Sequence, residues 1–404
     1  MIASKQSSTA PQVSVVCSDL SDNCLGRALL LAEVVSKFAP VQIVGMQFGT
    51  DVWLPAQQRG LPILGYRLQR ARDRGSALRW LREQVGGSKL IVSKPKMTSL
   101  GFCLLAGVRR QDLILDIDDW ELGFQGGPNA WRAAKSVAKL PFDVSSTNGY
   151  ATTLLFDRFA HCIPTRTVSN AWLQARFGGR LVPHVRDGRS LDPASVDPAE
   201  VRKKLDMQHG TWVGFIGTVR PHKGVEDLIA ALKCAPVELG LFLAGLGDDP
   251  FARSIEQLAR AELGPARVRT MPPFAFEELA LVNSIPDIVC IPSRDERGSR
   301  GQIPAKLFDA LAMAKPIVVT AVNDMPQVVL DAGVVVSPGE PQQLSAALAQ
   351  LAAAPLLRAQ LGARARQRFL DKYDYAAAVP LLQEQLERVD VVMSMRGETL
   401  TRAA

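Results

Sequence analysis

The 404-residue sequence has no run near the ~18 uninterrupted apolar residues of a membrane-spanning helix; its longest apolar candidate, Leu100 to Val108, is about half that. An integral membrane protein is therefore not expected. The N-terminal MIASKQSSTAPQ lacks the apolar core of a secretory signal, so the expectation is a cytoplasmic protein. Six cysteines (Cys17, Cys24, Cys103, Cys162, Cys234 and Cys290) are scattered without a CxxC pair. That excludes a familiar structural zinc or disulfide framework and fits a reducing compartment. No short-period repeat or low-complexity tract occurs. No GxGxxG follows the first strand-like run, which disfavours a nicotinamide dehydrogenase. The glycine turn at 217–224 is not closed by GKS or GKT, so it is not a Walker loop.

What is present is ordinary globular usage, 47% hydrophobic and 22% charged, with chain enough for two or three domains. The charge is uneven. Residues 1–190 carry 24 Lys and Arg against 14 Asp and Glu, a net +10; residues 191–404 carry 23 against 26, a net −3. A basic first half suits anionic ligands or surfaces. Strand-like apolar runs lie at Val13–Cys17, Val41–Met46, Leu90–Val92, Leu113–Ile117, Val213–Ile216, Leu239–Ala244, Ile288–Ile291, Ile317–Thr320 and Val334–Val336. Helical periodicity separates them at Leu25–Phe38, Val225–Leu232, Phe251–Leu263, Phe276–Asn283, Ala305–Met313 and Pro341–Leu351. Strands spaced by such helices read as βαβ units with a parallel sheet covered on both faces, an α/β fold. The Asp/Pro/Ser-rich stretch Arg186–Ala199 is the expected junction. It predicts Rossmann-like domains over 1–188 and 189–374, with a helical tail over 375–404 packing back on the first.

Two segments of the second half carry chemistry. In WVGFIGTVRPHKGVEDLIAAL (212–232), a strand runs into a Gly217–Gly224 turn and then a helix. Such a turn offers backbone N–H groups and a helix N-terminus to an anion, and Arg220 and Lys223 add fixed positive charge. A plain turn with solvated basic residues is the alternative. In IPSRDERGSRGQIPAKLFDALAMAKPIVVT (291–320), a strand ends in a Gly/Arg/Ser loop and a helix starts near Pro304. Loop and helix start together can cradle a diphosphate at the carboxyl ends of the strands. Asp309, one turn further, offers a carboxylate to a sugar hydroxyl pair or, alternatively, is a solvent-facing helix acid.

The order and spacing of these motifs resemble the family 4 glycosyltransferases, retaining enzymes of GT-B fold. The resemblance is close over 212–345 and looser over 13–190. It implies two Rossmann-like domains facing a cleft, a nucleotide-diphosphate sugar as donor substrate, and no bound metal. Gly217, Lys223 and Gly224 match the family's G-x-x-x-x-x-K-G turn, whose Lys serves the donor diphosphate. Thr218 stands where the family has Arg, with Arg220 reaching from the same loop. FDALAMAKPIV places Asp309 in the position of the family glutamate that holds the donor ribose. Gly301 replaces the carboxylate eight residues earlier. Asp295 or Glu296 then stands in for it, or Gly301 and Gln302, with Ile303 and Pro304 beside them, meet the donor sugar through backbone. LFLAGLGDDP brings Gly245 and Gly247 near the donor.

In the first half, Gly26 occupies the family's glycine-bearing first loop, or lies in a plain helix start capped by Asp22 or Asn23. LILDIDDWELGF (113–124) puts aspartates at a strand end. Asp118 aligns with the strand-end His by which the family contacts the donor sugar and is assigned as catalytic, Asp119 is assigned to the acceptor, and Lys94, in KPKMTSLG, is a phosphate or acceptor contact or lies in a plain loop. A divalent cation on those carboxylates and helix or turn capping are the alternatives. TVSNAWLQARFGGRLVPHVRD (167–187) resembles the family's run at the end of the first domain, with His184 a hinge histidine and Asp187 the matching acid. Arg67–Arg82, with six arginines beside Leu78, Trp80 and Leu81, is a candidate basic helix on an anionic membrane; nucleic acid is a poor competitor for it. The expectation is sugar transfer to a glycan, lipid-linked or small-molecule hydroxyl. A sugar-nucleotide 2-epimerase and a catalytically inactive partner subunit on the same fold are the other readings.

Overall fold

The structure, a computed structural model, describes residues 11–57, 59–125, 130–139 and 149–402, the side chains of 139 and 390–402 excepted. The N-terminal residues 1–10, on which part of the export reading rests, lie outside this range. The chain divides into two units, residues 1–182 with 378–404, and residues 183–377.

Each unit is built on one wholly parallel sheet. The first has seven strands: β1 (Val13–Cys17), β2 (Val41–Gln47), β3 (Ile63–Arg67), β4 (Lys89–Ser93), β5 (Leu113–Ile117), β6 (Thr165–Val168) and β7 (Arg180–Leu181). Their order is β3-β2-β1-β4-β5-β6-β7. The second has six: β8 (Thr211–Ile216), β9 (Leu239–Ala244), β10 (Val268–Met271), β11 (Ile288–Ile291), β12 (Ile317–Thr320) and β13 (Gly333–Val336), in the order β10-β9-β8-β11-β12-β13. Both are Rossmann-like α/β arrangements. The chain starts each sheet in its middle and reverses direction of growth once, between β1 and β4 and between β8 and β11. Such switch points leave a crevice at the carboxyl ends of the two central strands, where ligands of open α/β sheets bind.

Alternation along the strands fills both faces of the second sheet. Trp212, Ile216, Phe242, Val289 and Ile291 pack on one side with the helix Ala305–Ala312; Val213, Phe215, Leu241, Leu243 and Cys290 pack on the other with the helices Val225–Lys233 and Pro250–Leu263. All nine apolar runs read as strands are strands. The four others, β3, β6, β7 and β10, are short, only half-buried and interrupted by Arg and Thr. Three of them are sheet edges, so the packing that would demand an unbroken apolar run is missing.

The expected boundary at 188 moves to 182/183. Arg186 and the residues after it are tied into the second unit rather than forming a linker. Arg186 N–H donates to Tyr373 O at 2.9 Å, Gly188 N–H to Asp374 Oδ2 at 2.8 Å, and Leu191 is buried in that unit's core. The closing helix Tyr375–Arg402 changes units at Ala378, three residues later than the expected 375.

One buried pair organises the first sheet. Arg27 reaches Asp116 of β5 with Nε–Oδ2 at 2.9 Å and Nη2–Oδ1 at 2.8 Å, and Thr167 Oγ1 donates to Oδ1 at 2.7 Å. Both ionic groups are fully enclosed. In the second unit, Gly224 (φ +67°) lies so close to β11 that a Cβ would overlap the Pro292 carbonyl oxygen. Gly217 (φ +107°) and Gly245 (φ +80°) meet in the same way, a Cβ on Gly245 falling 3.0 Å from Gly217 Cα.

Two stability measurements follow from these contacts. Arg27→Met leaves the Asp116 carboxylate without its cation and is expected to lower stability by about 3–5 kcal/mol; Arg27→Met combined with Asp116→Leu should recover a large part of it in urea unfolding. Gly224→Ala meets about 1–2 kcal/mol of left-handed strain in addition to the Pro292 overlap. A clear fall in thermal midpoint is expected, whereas the exposed Gly210→Ala, which meets only the strain, should fall less.

Candidate functional site: a cationic crevice at the β8–β11 switch point

Because β8 and β11 are neighbours, the two segments singled out in the sequence end side by side. Behind β8, the chain passes Gly217, whose N–H donates to Ala244 O at 2.7 Å, and folds through the turn Pro221–Lys223 to Gly224. Lys223 Nζ donates back to Thr218 O at 2.6 Å and closes the loop into a ring. Thr218 itself is exposed. Arg220 is exposed too and pairs with Asp249 Oδ2 at 3.2 Å. Asp249 caps the helix Pro250–Leu263, accepting from Phe251 and Ala252 N–H. The Ala252 N–H bond first, then Arg220, holds its carboxyl below the usual carboxylate range. This pair links the β8 turn to the β9 turn, so Gly217, Thr218, Arg220, Gly245 and Gly247 come together. Exposed pairs of this kind are weak.

The loop after β11 is fastened to the same turn by Arg294. Its guanidinium grips Asp227 twice, Nε–Oδ2 at 2.9 Å and Nη2–Oδ1 at 2.7 Å, and its Nη1 donates to Pro221 O at 3.2 Å, while its backbone N–H donates to His222 O. The Asp227 hydrogen bonds raise the Arg294 pKa. Beyond it, Ser299 Oγ accepts from Glu296 N–H at 2.9 Å, and Asn323 Nδ2 donates to the carbonyls of Ser299 and Gln302. These bonds fix Gly301 and Gln302 just before Pro304, which begins the helix Ala305–Ala312. The side chain of Ile303 is buried in the core. Asp295 is exposed and paired with Arg300 at 3.0 Å, and Glu296 is exposed.

Asp309 is not a solvent-facing acid. It is buried and accepts from Arg186 Nε at 2.6 Å. Burial raises its pKa, with Arg186 and Lys306 opposing. His184 is buried near the same place, its ring 5.9 Å from Phe308. Three groups of this neighbourhood, Arg186, Arg294 and Lys306, were not singled out as site residues from the sequence. Arg294 and Lys306 lie inside the motif 291–320, each two residues after a Pro, Arg294 past the end of β11 and Lys306 in the first turn of the helix that follows. Arg186 carried no such signal, because its partner lies 123 residues away.

In the first unit, Lys94 sits at the end of β4 in the left-handed region (φ +69°) and is buried. Its Nζ lies 2.9 Å from Asp118 Oδ1, 2.5 Å from Asp119 Oδ2 and 3.2 Å from Glu121 Oε1, and Lys96 Nζ is 3.3 Å from Glu121 Oε2. Burial pulls the Lys94 pKa down, but the three acids outweigh it and hold the ammonium well above its ordinary value. Asp118, Asp119 and Lys94, assigned separately from the sequence, thus form one cluster. Gly26 has no positive φ; the Trp53 ring stands 3.4 Å from where its Cβ would be. Neither Asp22 nor Asn23 caps that helix with its side chain; the start is held by backbone bonds to their carbonyls. Arg67–Arg82 is not one helix. Arg67 ends β3, the helix begins at Arg74, Leu81 is buried and Leu78 and Trp80 pack against the core, leaving Arg79 and Arg82 exposed. Among the described residues no group of His, Cys, Asp and Glu has the arrangement of a metal site, and no helix is long and apolar enough to cross a membrane.

Comparison with known proteins places this crevice in context. The chain is 26% identical over 183 residues to an alpha-D-kanosaminyltransferase of Streptomyces kanamyceticus, covering 45% of this chain and 46% of that one. It is 30% identical over 159 residues to a D-inositol 3-phosphate glycosyltransferase of Mycobacterium leprae, covering 35% and 36%. It thus spans less than half the length of these curated relatives. Among solved structures, Anabaena HepE in complex with UDP-glucose superposes with a TM-score of 0.72 at 15% identity, covering 93% of this chain and 99% of that one. The protein has the GT-B fold, and its residues 210–354, which contain the cationic crevice, match the family described as glycosyl transferases group 1.

Proposed function

We propose that this protein is a retaining glycosyltransferase of the family 4 type, moving a hexose from a nucleotide-diphosphate donor to an acceptor hydroxyl. The observation that supports the reading is the β8–β11 switch point, where the turn that carries Arg220 and Lys223 lies against the end of β11, ahead of the helix start at Pro304. The names of the relatives, a kanosaminyltransferase and an inositol phosphate glycosyltransferase, support hexose transfer, and HepE binds UDP-glucose on the same fold.

In this reading the sugar–phosphate bond breaks as the acceptor oxygen attacks the same face of the anomeric carbon, and the hydroxyl proton passes to the departing phosphate oxygen. No carboxylate pair placed for double displacement is needed. The growing charge on the diphosphate is met by Arg220, Lys223 and backbone N–H groups that are already in position, the arrangement that lowers a barrier most effectively. Gly217, Thr218, Gly224, Gly245 and Gly247 let the backbone approach the donor, and Gly301, Gln302, Ile303 and Pro304 present theirs to the sugar. Asp309 serves the ribose once Arg186 shares it. Asp118 takes the catalytic place at the sugar, while Asp119 and Lys94 meet the acceptor, a glycan, lipid-linked or small-molecule alcohol. No metal takes part. The exposed Arg79 and Arg82 make a peripheral contact with an anionic membrane from the cytoplasmic side.

Four outcomes check this reading. Among UDP, GDP, ADP and dTDP, at least one should raise the thermal midpoint by mass action. Lys223→Ala should stay folded, by its thermal midpoint, and lose about 10²–10³ in kcat; wild-type turnover would refute the role. EDTA should leave transfer unchanged, and donor incubated without acceptor should not epimerise. Arg79→Glu with Arg82→Glu should reduce flotation with anionic liposomes, and unchanged flotation removes the membrane contact.

A further inference from the structure

Lys306 is the one residue of the crevice whose arrangement is unfavourable as it stands. It lies in the first turn of the helix Ala305–Ala312, the end at which the helix dipole repels a cation. Its stem is half-buried and its ammonium is turned inward. Nζ is shielded from solvent, has no hydrogen-bond partner, and stands 3.4 Å from the centroid of the Phe215 ring. It reaches the backbone of the diphosphate turn: a Cβ on Gly217 would lie 3.4 Å from it. An ammonium has three donors to satisfy, and enclosing one without partners costs several kcal/mol, of which a ring face returns about 2.

The charged and titratable groups around it come from three elements. Lys223, on the β8 turn, repels it; Asp309, one turn along its own helix, attracts it but is engaged by Arg186; and Cys290 of β11 lies behind it. Arg220 is turned to Asp249 on the far side of the turn. Burial first, then Lys223, push the Lys306 ammonium well below the ordinary lysine value, against the weaker pull of Asp309 and Cys290. The missing component is an anion.

We propose that Lys306 is the third cation of the diphosphate site and takes up a proton from solvent when a diphosphate binds. This rests on the donor reading above and adds to it a specific linkage. In the empty crevice Lys306 is a neutral amine. The arriving phosphates supply hydrogen-bond acceptors and negative charge, the amine gains one proton, and the resulting ammonium donates to the phosphate oxygens beside Gly217. Because the bound form holds one more proton than the free form, binding tightens as pH falls and weakens as pH rises, by up to ~10-fold per pH unit over the interval between the two states. The site therefore holds a spare cation only while a diphosphate is present.

The test is calorimetric titration of the full chain with whichever of UDP, GDP, ADP or dTDP raises its thermal midpoint most. The titrations are run at pH 8.5 in buffers of different ionisation enthalpy, well above the second phosphate ionisation near about 6. The wild type is expected to take up most of one proton per diphosphate. Lys306→Met, which keeps an apolar stem on Phe215, should take up none and bind about 10–100-fold more weakly, the loss of a charge-assisted contact. Lys306→Arg, permanently charged, should bind without uptake and with an affinity independent of pH between 7.5 and 9. Binding by the wild type without proton uptake, or the same uptake in Lys306→Met, overturns the role of Lys306 and leaves the donor reading standing. Failure of all four diphosphates to bind overturns both.

Discussion

The candidate site depends on the contact between two backbones, the left-handed turn at Gly224 against the carbonyl of Pro292. Parallel order makes β8 and β11 neighbours, but neighbours need not have touching loops. Here the absence of a Cβ at Gly224 lets the β8 turn settle onto the end of β11, and Arg294 fastens the two from outside by holding Asp227 and the Pro221 carbonyl. Gly245 does the same for the β9 turn against Gly217. Loops that are far apart in the chain are thereby brought into contact at the carboxyl ends of β8, β9 and β11.

The two units handle charge differently, and the difference matches their proposed tasks. In the first unit two cations are buried and neutralised in place. Arg27 is bound to Asp116, and Lys94 is surrounded by Asp118, Asp119 and Glu121. Pairs of this depth are costly to break, so they fix geometry. In the second unit Arg220 pairs with an exposed carboxylate, a weak kind of contact, and Lys223 donates to the Thr218 carbonyl. Lys306 takes the contrast furthest, being enclosed and unpaired. A site whose cations are underused in the empty protein has binding energy in reserve for a highly charged ligand.

Backbone conformation in the first unit is bound up with one of these buried cations. Lys94 adopts a positive φ that a non-glycine residue tolerates only when its surroundings compel it, and the compulsion is visible. Its N–H donates to Asp116 O, its carbonyl accepts from Ser99 Oγ at 2.6 Å, and its ammonium is held by the acids at the end of β5. The strain therefore directs one lysine into a cluster of carboxylates at the carboxyl edge of the first sheet.

The apolar runs by themselves determined nine of the strands, the parallel α/β class and the positions of the two glycine-bearing loops, because a strand buried on both faces must be continuously apolar and a βα turn must contain residues free to turn. The partly buried strands β3, β6, β7 and β10 left no such trace: three are sheet edges, where polar residues are tolerated, and the interior β6 is broken by Thr165, Arg166 and Thr167. The unit boundary was read a few residues late because the polar segment after Pro183 looks like a linker while its partners, Asp309, Tyr373 and Asp374, lie more than a hundred residues away. Only tertiary structure decided which charges meet. It put Asp309 on Arg186, Arg220 on Asp249 and three acids on Lys94, and it left the ammonium of Lys306 over Phe215 with nothing to bind. Local sequence fixes the direction of a chain through hydrophobic periodicity and turn sterics. Pairing of charges across a sheet depends on strand order, which is set by long-range packing.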